Sequence, residues 1–174
     1  MSASVLVTFA TRYGSTKEVA ELVAATIREQ GRTVDLAPAR EVRTLDAYQM
    51  VVLGAPLYMF HWHKDALHFL ERQRAALSAR PVAIFALGPL HDDAKEFQGA
   101  REQLDKELAR LPWLTPKAIA IFGGRLDPAR FTFPHNLIPA MKNMLPSDVR
   151  DWAAIRAWAG NLATQLQTTS VRGA

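Results

Sequence analysis

The sequence predicts an α/β protein with a doubly wound parallel sheet, and three observations carry that expectation. Apolar runs at 5–9, 50–53, 82–87 and 118–122 are continuous rather than alternating, the pattern of strands covered on both faces. Segments with apolar residues at helical spacing separate them. The two signals alternate along the whole chain, and 174 residues suit one domain, 1–174, with a sizeable core.

Taken in order, the run at 5–9 is the first strand, and Val19, Leu22, Val23 and Ile27 mark the helix after it. The stretch TVDLA at 33–37 alternates, so it belongs at a sheet edge. The third strand leads into a loop at 54–67; Leu67, Leu70 and Leu77 then mark a short helix. Phe97, Ala100, Leu104, Leu108 and Leu111 mark a longer helix after the fourth strand. In the last helix Trp152, Ile155, Trp158, Leu162 and Leu166 share one stripe, expected to be core. No repeat, low-complexity tract or linker interrupts the series. One segment stands apart: residues 123–148, GGRLDPARFTFPHNLIPAMKNMLPSD, are too long for a plain connection between last strand and last helix. Such insertions are functional or form structure of their own. Leu137, Ile138, Met141, Met144 and Leu145 give it a short amphipathic face, with three candidate partners: its own domain, a second subunit, or a membrane surface.

Composition narrows the function classes. Without cysteine there is no disulfide framework, thiolate metal site or cysteine nucleophile. No apolar run approaches the ~18 residues of a membrane span, and no basic residue precedes the short apolar part of MSASVLVTFATRYG, so no cleaved leader is expected. A cytoplasmic location is the expectation. The net charge is +4 with a pI of about 9.7, but the basic residues are scattered. Nucleic acid is therefore not an expected partner, while acidic small molecules or membrane surfaces would be attracted.

The chemistry concentrates where strands end. FATRYGSTKEVAE, residues 9–21, leaves the first strand and enters the first helix. In an open parallel sheet this carboxyl edge is where ligands settle. A helix N-terminus there offers unpaired N–H groups and a positive dipole end to an anion. Thr11, Ser15 and Thr16 add hydroxyls, and Gly14 permits a tight turn. Neither GxxxxGK[ST] nor GxGxxG is present, which disfavours nucleoside triphosphates and dinucleotides. Ser15 and Glu18 also match S-x-x-E, a capping box that needs no ligand. The loop GAPLYMFHWHKDAL at 54–67 gathers Tyr58, Phe60, Trp62, His61 and His63, a density that suits stacking on a flat ring. LGPLHDDAKEF supplies a third loop at the same edge. Together they describe a site for a phosphorylated flat heterocycle.

TRYGST at 11–16 resembles the phosphate loop of the flavodoxin family. GAPLYMFHWHK, GRLDPARF and RDWAAIRAWAGNLA are similar to the family's menaquinone-dependent protoporphyrinogen oxidases of heme biosynthesis. The resemblance implies a flavodoxin-like three-layer sandwich, with a five-stranded parallel sheet of order 2-1-3-4-5 and an insertion between the last strand and last helix. It implies FMN as cofactor and a redox reaction between a small organic substrate and a quinone. Thr11, Arg12, Tyr13, Gly14, Ser15 and Thr16 would hold the phosphate. Pro56, Leu57, Tyr58, Met59, Phe60 and His61 would line one side of the ring system, and Gly88, Pro89, Leu90 and His91 the other. This sequence departs from the oxidases at 58–60, where they carry a basic residue, a tyrosine and a glycine. The basic and imidazole groups Arg12, His61, His63, Lys64, Arg125 and Arg130 would attract a substrate's acidic side chains. Two rival readings share the fold: an electron-carrier flavodoxin, whose usual acidity the +4 charge opposes, and a module that has lost its flavin. A signalling receiver is excluded, because Gly54-Ala55-Pro56 and Ala10-Thr11 stand where its acidic residues are needed. Membrane contact and self-association both stay open.

Overall fold

The structure, a computed structural model, describes residues 4–58 and 61–172. Met59 and Phe60, expected along the ring system, lie outside the described residues. Eight strands and six α-helices are described. β1 (Ser4–Phe9), β2 (Thr33–Pro38) and β3 (Met50–Tyr58) come first, followed by β4 (His61–Trp62), β5 (Val82–Leu87) and β6 (Ala118–Phe122). β7 (Arg125–Leu126) and β8 (Ser147–Asp148) belong to the insertion. The helices are α1 (Ser15–Glu29), α2 (Lys64–Arg72), α3 (Arg74–Ser78), α4 (Ala94–Ala109), α5 (Pro139–Lys142) and α6 (Trp152–Arg172).

The long strands form a parallel sheet in the order β2-β1-β3-β5-β6. Counting long strands alone, this is the expected order 2-1-3-4-5. Strand side chains alternate between the two faces, and burial follows that period. Val5, Val7 and Phe9 of β1 join Val52, Phe85 and Leu87 in one core beneath α1 and α6. Leu6 joins Val51, Leu53 and Ile84 in the other, beneath α2, α3 and α4. Gly54 makes one core possible: a Cβ there would fall 1.9 Å from the Phe85 ring. That ring lies 6.0 Å from Phe122 and 5.9 Å from Trp158. β2 takes the predicted edge. β6 is the other edge, so its residues 118–121 are only half-buried rather than covered on both faces.

Two expectations need correction, and one of the alternatives left open by the sequence closes. β3 does not stop at Leu53 but runs on to Tyr58 and folds back, pairing Leu57 with Trp62 and Tyr58 with His61 in β4. Much of the expected loop at 54–67 is therefore paired strand. Trp152 is not core; it is 40% exposed and stacks under the Arg150 guanidinium at 4.6 Å, because the helical stripe begins one turn before α6 reaches the sheet. The amphipathic face at 137–145 is not packed on its own domain: Leu137 and Leu145 are 63% and 84% exposed.

The insertion does form structure of its own. β7 and β8 pair antiparallel at its base, and two 3-10 turns (Pro128–Arg130 and His135–Leu137) precede α5. The base is narrow: the Val149 N–H donates to the Gly124 carbonyl at 3.1 Å. A Cβ on Gly123 would lie 2.1 Å from the Val149 carbonyl oxygen.

Candidate functional site

The turn from β1 into α1 begins with Thr11, whose Oγ1 accepts the Gly14 N–H at 2.9 Å. Gly14 is the N-cap of α1 and sits at φ 91°, the left-handed region glycine tolerates. No side chain caps the helix, so its first N–H groups keep the orphan status that helix starts impose. The expected capping box is absent: Ser15 is already the first helical residue. Glu18 turns away to Arg150 at 2.5 Å, Arg130 at 3.7 Å and Arg125 at 3.8 Å. The Arg150 hydrogen bond, with the three guanidinium charges, holds the Glu18 carboxyl below its ordinary value.

Thr16 supplies the most specific sign. It is fully buried, yet its Oγ1 has no hydrogen-bond partner among the described residues. A buried hydroxyl without a partner loses its hydration uncompensated. An anion with several acceptor oxygens, held at the α1 N-terminus, would supply the missing bond. The residues present therefore fit a phosphate group.

The hairpin after β3 divides the predicted aromatic cluster. Trp62 is core, 1% exposed, with Nε1 donating to the Ala55 carbonyl at 2.9 Å. His63 caps α2: its Nδ1 accepts the Asp65 N–H at 3.1 Å. Burial holds its pKa down, keeping the ring neutral as that role demands. Tyr58 stays at the surface, and His61 points outward with Nδ1 3.4 Å from the buried Glu107 carboxylate. Pro56 and Leu57 are half-buried beside them.

The loop after β5 lies at the same edge. Pro89 is buried, its carbonyl accepting the Gly124 N–H at 2.7 Å. Gly88 leaves room that a Cβ would fill, 3.3 Å from Ala100 and 3.4 Å from Leu57. Glu96 accepts the Leu90 and His91 N–H groups and the His91 ring at 2.6 Å. The His91 bond, foremost, holds the Glu96 carboxyl down.

The sequence did not signal what joins these loops. His135, from the insertion, bridges the Tyr13 hydroxyl at 2.5 Å and the Tyr58 hydroxyl at 3.1 Å. Phe131 packs on Tyr13 at 5.3 Å. The exposed Arg12 lies over both tyrosine rings, 5.5 and 5.7 Å from their centroids. Desolvation raises the Tyr58 pKa, so that phenol stays protonated. Arg130 donates to the Tyr13 carbonyl at 3.3 Å. Arg125 and Arg130, expected to attract a substrate, instead pair with Glu18 and Asp127. Arg150, its side chain 4% exposed, ties Asp148 to Glu18 and the Ser15 carbonyl. The motif GRLDPARF held part of that signal; nothing about His135 in the sequence distinguishes it. A cavity of about 360 Å³ is lined by Thr11 and Lys17 together with Leu36, Pro38, Arg40 and Asp65.

Comparisons with known proteins agree with this fold. Protoporphyrinogen IX dehydrogenase [quinone] of Escherichia coli K12 is 26% identical over 129 residues, covering 72% of this chain and 71% of that protein. The Leishmania major protein of the same name is 21% identical over 171 residues, covering 91% and 74%. A short-chain flavodoxin associated with a non-canonical PDU bacterial microcompartment superposes with a TM-score of 0.62 at 15% identity, covering 96% of this chain and 98% of that one. At that identity the likeness speaks for the fold alone. The family model described as "Flavodoxin domain" matches residues 6–148, from within β1 to the end of β8. The match over residues 6–148, with a strand order that agrees with it, places this chain in the flavodoxin domain family.

Proposed function

We propose that the chain binds FMN at this edge and acts as an FMN-dependent oxidoreductase in the cytoplasm. Its redox partners are small molecules: a protoporphyrinogen-like donor and a quinone acceptor. The observation that carries the reading is the buried, unpartnered Thr16 hydroxyl beside an uncapped α1. Thr11, Arg12, Tyr13, Gly14, Ser15 and Thr16 hold the phosphate, through hydroxyls and the first N–H groups of α1. Pro56, Leu57, Tyr58 and His61 flank one side of the ring system, and Gly88, Pro89, Leu90 and His91 the other.

Bound FMN supplies the electron transfer itself; the protein binds, orients and tunes it. Glu18 is the carboxylate nearest the phosphate loop in sequence, and its three arginine partners keep it from repelling a phosphate dianion. Arg12 has no carboxylate partner among the described residues, so it is available to an acidic substituent on the substrate. The relatives' shared name supports the choice of donor and acceptor, and the positive net charge favours an enzyme over a carrier that docks on basic partners.

The test is a titration of the purified chain with FMN, followed by flavin fluorescence, then anaerobic mixing with protoporphyrinogen and a quinone in turn. One FMN per chain, reduced by the first and reoxidised by the second, is expected. FMN that exchanges electrons only with other proteins would make the chain a carrier instead. Failure to bind FMN would leave a binding module that has lost its cofactor.

A further inference from the structure

Among the described residues, most of the large exposed apolar side chains belong to one stretch of the insertion. Phe133 is 74% exposed, Leu137 63%, Leu145 84%, Ile138 41% and Met144 40%. Patches of this kind mark contact surfaces rather than ordinary exterior. The charges around them share one sign. Residues 128–147 contain Arg130, His135 and Lys142 but no aspartate or glutamate. Arg12 reaches the same end of the molecule, over the Tyr13 and Tyr58 rings that His135 bridges. Among the described residues neither Lys142 nor Arg12 has an ion-pair partner.

We propose that residues 133–145 dock this protein on an anionic phospholipid surface, with Phe133, Leu137, Ile138, Met144 and Leu145 entering the headgroup boundary and Lys142 meeting lipid phosphates. Apolar insertion plus basic attraction is the energetic signature of an interfacial anchor. A second copy of the chain fits less well. A two-fold contact places the same patch against itself, so Lys142 would face an acid-free surface like its own. The segment also offers only a four-residue helix and two 3-10 turns, no regular face for close packing between subunits. A lipid boundary requires no such complementarity. The docking stands independently of FMN, and it would bring the Tyr13–His135–Tyr58 bridge, with the loops it joins, to the membrane side.

The test is sedimentation of the full chain, without added flavin, with vesicles of phosphatidylglycerol and phosphatidylcholine or of phosphatidylcholine alone. Binding to the anionic vesicles at low salt is expected, weaker by ~tenfold or more on neutral ones. The exposed double variant Leu137→Ser/Leu145→Ser should lose ~tenfold or more while keeping its circular dichroism and FMN titration. Lys142→Gln should weaken binding less and reduce its salt dependence. No binding to anionic vesicles at low salt would overturn the proposal. So would binding that the double variant retains in full, which would make the contact purely electrostatic. A dimer that the double variant abolishes, with no vesicle binding, would assign the patch to a second copy.

Discussion

The carboxyl edge of the sheet and the insertion that covers it are built on opposite principles. At the edge, position is inherited from burial: Phe9, Ala10 and Leu87 are 5%, 4% and 2% exposed, so the loops that follow start from fixed points. In the insertion position comes from charge and hydrogen bonds. Asp127 and Asp148 pair with Arg125, Arg130 and Arg150, and Glu18 joins them from α1. Several of its large apolar side chains face outward. A rigid edge suits a prosthetic group held for many turnovers, whereas a cover tied by polar contacts suits surfaces that come and go.

The largest expected effect would break the edge itself. Trp62→Ala removes a fully buried indole and its bond to Ala55, and should cost about 3–5 kcal/mol in chemical denaturation. A loss below ~1 kcal/mol would show that the hairpin does not depend on core packing. Arg150→Met attacks the join between the two regions. Its partners Glu18 and Asp148 stay partly exposed, so the loss should be about 1–3 kcal/mol, with weaker FMN binding because Glu18 is then less well neutralised. Equal loss of FMN and riboflavin affinity in that variant would contradict the charge explanation.

Thr16→Val sharpens the comparison most. It keeps the shape and removes a hydroxyl that has no partner, so stability should change by only about 0.5 kcal/mol or less. FMN affinity should fall by ~tenfold or more, as expected for one hydrogen bond to a charged group. If stability fell and FMN affinity did not, the hydroxyl would be structural.

Acid should weaken the two regions in separate windows. In the edge, the folded His63 pKa lies below its ordinary 6.5. As pH falls below 6.5 the unfolded chain takes up that proton first, so stability declines until the folded His63 titrates. His63→Asn, which keeps an N-cap acceptor, should flatten that slope. At the join, Glu18 and Asp148 are held below 4.5 and 3.8. Their contribution is fully present above those values and is lost as pH falls through the folded ones. Arg150→Met should flatten this lower limb alone. The smallest effect belongs to Leu145→Ser, within about 0.5 kcal/mol of no change, because the side chain lies almost wholly outside the packed domain.

The two regions were not equally legible in the sequence. Runs at 5–9, 50–53 and 82–87 announced the central strands because burial on both faces leaves nearly every position apolar, the buried Thr8 excepted. TRYGST marked the turn into α1, because a glycine and small hydroxyl residues at a helix start are local features. The capping-box reading failed because Glu18 had a distant partner: Arg150 is 132 residues away. His135 failed to register for the same reason, its contacts to Tyr13 and Tyr58 spanning 122 and 77 residues. The hairpin at Tyr58 was read as an aromatic loop because density of rings looks alike whether a ring is buried, as Trp62 is, or exposed, as Tyr58 is.

The narrow base of the insertion carries one more consequence. Because the chain departs at Gly123–Gly124 and returns at Val149, the excursion begins and ends at nearly one point. Adding or removing residues inside it changes the closure entropy only slowly with length, and the sheet registers no displacement. The outer portion can thus be exchanged as a cassette. One scaffold can then acquire new addresses or clients, provided that Glu18's arginines and the histidine bridge travel with the replacement.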